Sequence, residues 1–317
     1  MSKVLVVFGA TGQQGGGLIT YLLGDPELSQ QYKIRAITRD VTSEKAKQLA
    51  EKVEVVPGDV SNRASLESAL AGAHTIFAMT APSLAPLPDA DRVEIEYNSI
   101  KTMADVAVEK GVQYFILSTL PPVKDISGGK YTKVTPFDAK AAAERYIRTL
   151  PIKSAFYCPG SFMENFQSQI FLAPKPADDG TYVMSRHHSA ETQFPLVHAV
   201  GNTGNFVGAI LANPEKYEGK TFAAATRFYS MNEIVSIMSK ATGKTIVYKQ
   251  VSVEEFKEDM GIPEVLADIF VEAFSYGEEF GYYGPDSEKL VAWAAANARG
   301  RLSTLEEYFE AHPLQLA

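Results

Sequence analysis

Short apolar runs recur along the first half of the chain, each followed by a longer stretch in which apolar positions share a 3.6-residue period. The runs predict strands over 3–8, 33–38, 53–57, 74–79, 113–118 and 153–158. They are rich in Val, Ile and Phe and mostly do not alternate, as strands buried on both faces of a parallel sheet do. The periodic stretches predict helices over 13–23, 43–51, 63–71, 91–110 and 137–150. Five strand–helix repeats predict right-handed βαβ units and a Rossmann-type, doubly wound parallel sheet. After Pro159 the rhythm breaks. Segment 173–189, rich in Pro, Gly, Asp and His, reads as loop with one short strand. A strand–helix unit returns over 193–212 and a strand near 221–225. Helices over 230–241 and 253–280 follow, with a strand over 245–251 between them. The predicted organisation is a Rossmann domain over 1–158, completed by about 193–225, with 159–192 and 226–317 forming a smaller α+β C-terminal lobe.

Composition narrows the class. Hydrophobic residues make up 45% of the 317 and charged residues 21%, which is ordinary globular usage. The one cysteine, Cys158, excludes a disulfide framework and any multi-cysteine metal site. A net charge of −8 with no basic run argues against direct nucleic-acid binding. No stretch approaches the roughly 18–20 apolar residues of a membrane span. The apolar run after Met1-Ser2-Lys3 is too short for a signal peptide. These readings place the protein in the cytoplasm, with the nucleus open to it, and predict no metal.

The segment Phe8-Gly9-Ala10-Thr11-Gly12-Gln13-Gln14-Gly15 lies between the first strand and the first helix. Glycines at i, i+3 and i+6 bring backbone N–H groups against a diphosphate at a helix N-terminus, where the dipole favours anions. In its strand–helix context this is a dinucleotide signature. After the second strand, where an NAD-selective site carries a carboxylate for the ribose 2′-hydroxyl, the chain has Thr38 and Arg39. A guanidinium pairs with a 2′-phosphate, so the cofactor predicted is NADP(H). Asp40 falls one residue late for the acidic role. Asp59, after the third strand, is placed either to reach an adenine amino group or to cap a helix. Met79-Thr80-Ala81-Pro82 follows the fourth strand at the edge of the switch-point crevice.

The loop Gly9–Gly15 resembles that of the NmrA-like branch of the atypical short-chain dehydrogenase/reductases. So do Thr38-Arg39, Gly58-Asp59, Phe137-Asp138-Ala139-Lys140 and Pro159-Gly160-Ser161-Phe162-Met163-Glu164-Asn165. The resemblance runs through nearly the whole chain, to Thr304-Leu305-Glu306-Glu307-Tyr308-Phe309 near its end. It implies cofactor contacts from Gly9, Thr11, Gly12, Gln13, Gln14, Thr38, Arg39, Asp59 and Val60. It adds Thr80, Ala81, Pro82, Asn98, Lys140, Phe162 and Asn165. The family contains NADP-binding regulators that sense dinucleotides and bind protein partners, with isoflavone-reductase-like enzymes and quinone reductases as catalytic relatives.

One part of the short-chain dehydrogenase pattern is missing. Ser118 and Lys140 stand where the catalytic Ser and the Lys of Tyr-x-x-x-Lys belong, but the tyrosine position holds Pro136. Proline carries no proton to donate, and Tyr131 is nine residues from Lys140, off its helical face. A regulator with a protein partner is therefore the favoured expectation. The alternative is an NADPH-dependent reductase acting on a small-molecule substrate, with Lys140 or water as acid. The adjacent pair His187-His188 reads as loop rather than metal site, and Cys158 as core rather than redox sensor. The cluster Phe274, Tyr276, Phe280, Tyr282 and Tyr283 lines a cleft, faces a partner or packs a core. The oligomeric state is left open.

Overall fold

The computed structural model of the chain describes residues 2–81 and 88–316. Its strands are β1 (Lys3–Val7), β2 (Tyr32–Thr38), β3 (Glu54–Pro57), β4 (Thr75–Ala78), β5 (Tyr114–Ser118) and β6 (Lys153–Pro159), then β7 (Ser161–Phe162), β8 (Lys175–Pro176), β9 (Tyr182–Arg186) and β10 (Gln193–Val197), then β11 (Thr221–Ala224), β12 (Arg227–Ser230) and β13 (Ile246–Gln250). The first six lie within one residue of each predicted end.

β1 to β6 and β11 form one seven-stranded sheet in the order β11-β6-β5-β4-β1-β2-β3. Every pairing in it is parallel. Successive strand residues serve opposite cores. Leu5, Val7, Ile116 and Tyr157 pack with Leu18 and Leu22 of the helix Gln13–Gly24 and Phe206 and Ile210 of the helix Ala199–Ala212. Val6, Phe8, Leu117 and Phe156 pack on the other face with Leu66, Ile100, Met103 and Ile147. Those four come from the helices Arg63–Ala69, Asp89–Glu109 and Thr135–Ile147. Both faces being covered is why these strands read as continuous apolar runs. The strand order reverses between β1 and β4, so a crevice opens beyond their C-terminal ends, where open α/β sheets bind ligands.

The smaller lobe holds two three-stranded sheets, β12-β10-β7 and β13-β9-β8. Segment 193–225 divides its elements, since β10 joins a small sheet and β11 the large one. The predicted single helix over 253–280 is two, Val253–Met260 and Glu264–Phe280. Gly261 takes a left-handed conformation at φ 61° and ends the first, and Pro263 caps the second. Segment 173–189 carries two strands, β8 and β9, rather than one. Among the described residues no helix is long and apolar enough to cross a membrane.

Candidate dinucleotide site

The glycine loop is shaped by contacts that only glycine permits. Gly9 has φ 63°, and a Cβ on Gly15 would lie 2.4 Å from the Gly9 carbonyl oxygen. At Gly12 a Cβ would meet only that same oxygen, at 3.3 Å, and the residue is exposed. Gly12 is also the N-cap of the 12-residue helix Gln13–Gly24 and supplies no side-chain cap. The loop thus presents an uncapped helix N-terminus outward, the arrangement that receives a diphosphate. Ala10 is buried and its N–H bonds the Ile37 carbonyl at 3.4 Å, tying the loop to β2. Thr11 and Gln13 are half-buried. Gln14 is buried, and its Oε1 accepts from Ser118 Oγ at 2.7 Å. Ser118 is therefore committed to the glycine loop.

The end of β2 sorts the acidic from the basic candidate. The Asp40 carboxylate accepts from the Thr42 N–H at 2.8 Å and its hydroxyl at 2.6 Å. That engagement turns it into its own loop. Arg39 is exposed, with no ion pair among the described residues. Thr38 Oγ1 accepts from the Asp40 N–H at 3.3 Å. Next to them, Asp59 accepts from the Ser61 hydroxyl at 2.7 Å, a bond that holds its carboxyl below the ordinary value, with Arg39 adding to the effect. The cap of the following helix is Asn62, whose side chain accepts from Ser65 N. Val60 packs at the edge of the core beneath.

Thr80 and the exposed Ala81 follow β4, and Pro82 lies outside the described residues. Phe162, in β7, packs with Met79 against the glycine-loop side of the core. Asn165 opens the short helix Asn165–Ser168. Glu164 between them accepts from the N–H groups of Ala199 at 3.0 Å and Val200 at 2.8 Å, capping the next long helix.

The chemically distinct feature of the crevice is a buried ion pair. Lys140, on the helix Thr135–Ile147, is 5% exposed and pairs with Glu96, itself 6% exposed. Thr80 joins them: its hydroxyl donates to Glu96 Oε1 at 2.7 Å and accepts from Lys140 Nζ at 3.2 Å. Burial pushes the Lys140 amine below its ordinary value. The Glu96 carboxylate against it acts the other way, favouring the ammonium. Asn98, the helix residue predicted for the site, is exposed and donates to Glu94 at 3.4 Å. The face turned to Lys140 carries Glu96, two positions earlier. Sequence reasoning missed it because its partner lies 44 residues away.

Tyr131, Tyr276, Tyr282 and Tyr283 do not take the place of the missing tyrosine, since each hydroxyl is engaged elsewhere. Tyr131 donates to Glu279 at 2.9 Å, Tyr276 to the Tyr282 carbonyl at 3.2 Å, and Tyr282 to the Pro159 carbonyl at 3.3 Å. Tyr283 donates to the Cys158 carbonyl at 3.1 Å. Tyr276, Tyr282 and Tyr283 are buried, Phe274 and Phe280 half-buried. The aromatic cluster is thus packing between lobe and sheet. Cys158 is buried, which pushes its thiol well above the usual value and away from the thiolate. His187 and His188 lie in the bend after β9, as the loop reading has it, with their rings packed among Phe194, Phe256 and Phe274. Burial lowers both imidazoles. Among the described residues no group of His, Cys, Asp and Glu is arranged to hold a metal ion.

A profile of the NmrA-like family matches residues 1–309. An NmrA-like family domain-containing oxidoreductase of Aspergillus campestris is 32% identical, over 94% of this chain and 90% of its own. An NmrA-like family domain-containing protein of Dictyostelium discoideum is 28% identical over 98% of each chain. Among solved structures, NmrA, a negative transcriptional regulator, in complex with NADP is similar with a TM-score of 0.78 at 21% identity, over 99% of this chain and 95% of that one. The Citrobacter sp. triphenylmethane reductase complexed with NADP(H) gives 0.73 at 23% identity, over 98% and 99%.

Proposed function

The chain belongs to the NmrA-like family, and on that premise we propose that it is an NADP(H)-dependent reductase with Lys140 as proton donor. The observation that carries the reading is the buried Lys140–Glu96–Thr80 group at the C-terminal end of β4. A desolvated charge pair costs free energy to bury, which supports a chemical role for Lys140 beyond packing. The residues fit the cofactor. The uncapped first turn at Gly12 suits a diphosphate, and Arg39 suits a 2′-phosphate. The names of the relatives agree, as several are oxidoreductases. When bound, the reduced nicotinamide supplies a hydride. Lys140 Nζ supplies the proton that the missing tyrosine supplies elsewhere, while Gln14 and Ser118 brace the glycine loop against β5.

NADPH oxidation followed against a panel of quinones, enones, aldehydes and imines tests this reading. Turnover on the order of 1 s⁻¹ with one class is expected, the range of working enzymes. Firm NADPH binding with no turnover across the panel would sink it. Pro136 favours the second reading, a dinucleotide-responsive regulator with a protein partner. That reading predicts NADP⁺-dependent hydrogen-exchange protection across 160–190 and a change in partner affinity.

Selectivity has its own test. Arg39→Ala is expected to weaken NADP(H) binding about 10- to 150-fold, the worth of a charge-assisted bond of about 1.5–3 kcal/mol. NAD(H) affinity should barely move. An equal loss for both cofactors would show that Arg39 does not meet the 2′-phosphate.

A further inference from the structure

We infer that Glu96 is a positioning residue that holds Lys140 in place and keeps it charged as the proton donor of the reaction. This rests on the reductase reading above. Both side chains are almost fully buried, and neither has bulk water to stabilise its charge. Glu96 is fixed in turn by the Thr80 hydroxyl, so the carboxylate approaches the amine from one direction. Of the three N–H donors on Nζ, Glu96 and Thr80 take two among the described residues.

The charges around Nζ single out Glu96. From the helix Asp89–Glu109 the other buried charge among the described residues is Arg92, one turn before it, which cannot favour an ammonium. On Lys140's own helix, Glu144 is taken by Arg148 and Thr221, and Asp138 by the Lys124 N–H. From the segment after β4 the group in contact is the neutral Thr80. In the reaction, the acceptor gains a hydride from the reduced nicotinamide and a proton from Lys140 Nζ. The amine left neutral regains its proton from solvent, and the adjacent carboxylate favours that return.

The test follows the titration of the Lys140 amine by NMR of the cofactor-free full chain with isotope-labelled lysine, its signal identified by loss in Lys140→Met. Glu96→Gln is expected to lower the midpoint by about two pH units or more, as for a buried lysine without a partner. Since the ammonium is the acid, kcat falls as pH rises through this midpoint, so that limb of the pH profile should move down in parallel. Glu96→Asp, which keeps the charge, should restore the midpoint in part. If Glu96→Gln does not fold, Glu96→Asp against the unmodified chain still decides, because a weakened contact lowers the midpoint and a bystander leaves it. An unmoved midpoint with NADPH-dependent turnover of menadione intact would overturn the role of Glu96 alone. Absence of NADPH binding would overturn the reductase reading and leave the titration result standing.

Discussion

Replacing Lys140 with methionine is expected to lower NADPH-dependent turnover about 10²- to 10⁴-fold, the usual contribution of a positioned acid. NADPH affinity should change far less, because the glycine loop and Arg39 are untouched. The substitution also strands the Glu96 carboxylate 6% exposed without its cation. Leaving one partner of a buried pair costs about 3–5 kcal/mol, so the single variant should melt well below the unmodified chain. Lys140→Met with Glu96→Gln removes both charges and should recover most of that stability while turnover stays low. Thermal melts beside steady-state kinetics separate the two effects. A double variant that regained turnover along with stability would remove Lys140 from the chemistry.

Gly17→Ala is expected to be the most damaging small change to the scaffold of the cofactor site. Gly17 sits where the helix Gln13–Gly24 crosses the helix Ala199–Ala212. A Cβ there would lie 2.3 Å from the Val200 carbonyl oxygen and 2.9 Å from its carbon. These are backbone atoms and cannot rotate away, so the helices must part. Overpacking of this kind costs about 1–3 kcal/mol or more. Because the first turn of the displaced helix carries the uncapped N–H groups proposed to hold the diphosphate, NADPH affinity should fall with the melting temperature. Gly24→Ala, at the end of the same helix with nothing within 4 Å of its Cβ, is the control and should be near neutral. Equal melting of the two variants would mean that the crossing tolerates a methyl group.

The sheet was legible because burial on both faces leaves a plain trace. Leu5 and Val7 point to one core and Val6 and Phe8 to the other, so the whole run must be apolar. The glycine loop was legible for a similar reason, since the backbone geometry at Gly9 and Gly15 admits no side chain. Glu96 was not. It sits between the exposed Glu94 and Asn98 on a helix rich in polar residues, and no local pattern tells the buried member from these neighbours. Only the approach of Lys140 from another helix distinguishes it. β12 escaped notice because Arg227 and Ser230 flank two aromatic residues and leave too short an apolar run. His187 and His188 do lie in a loop, but its packing was not legible, since Phe194, Phe256 and Phe274, which enclose the rings, come from other elements.

Calorimetric titration of the unmodified chain with NADPH and with NADH tests most directly the claim that this crevice is an NADP(H) site. The account predicts one site per chain and binding of NADPH about tenfold or more tighter than NADH, the least that a charge-assisted bond from Arg39 should give. Equal affinities, or no heat with either nucleotide, would contradict it.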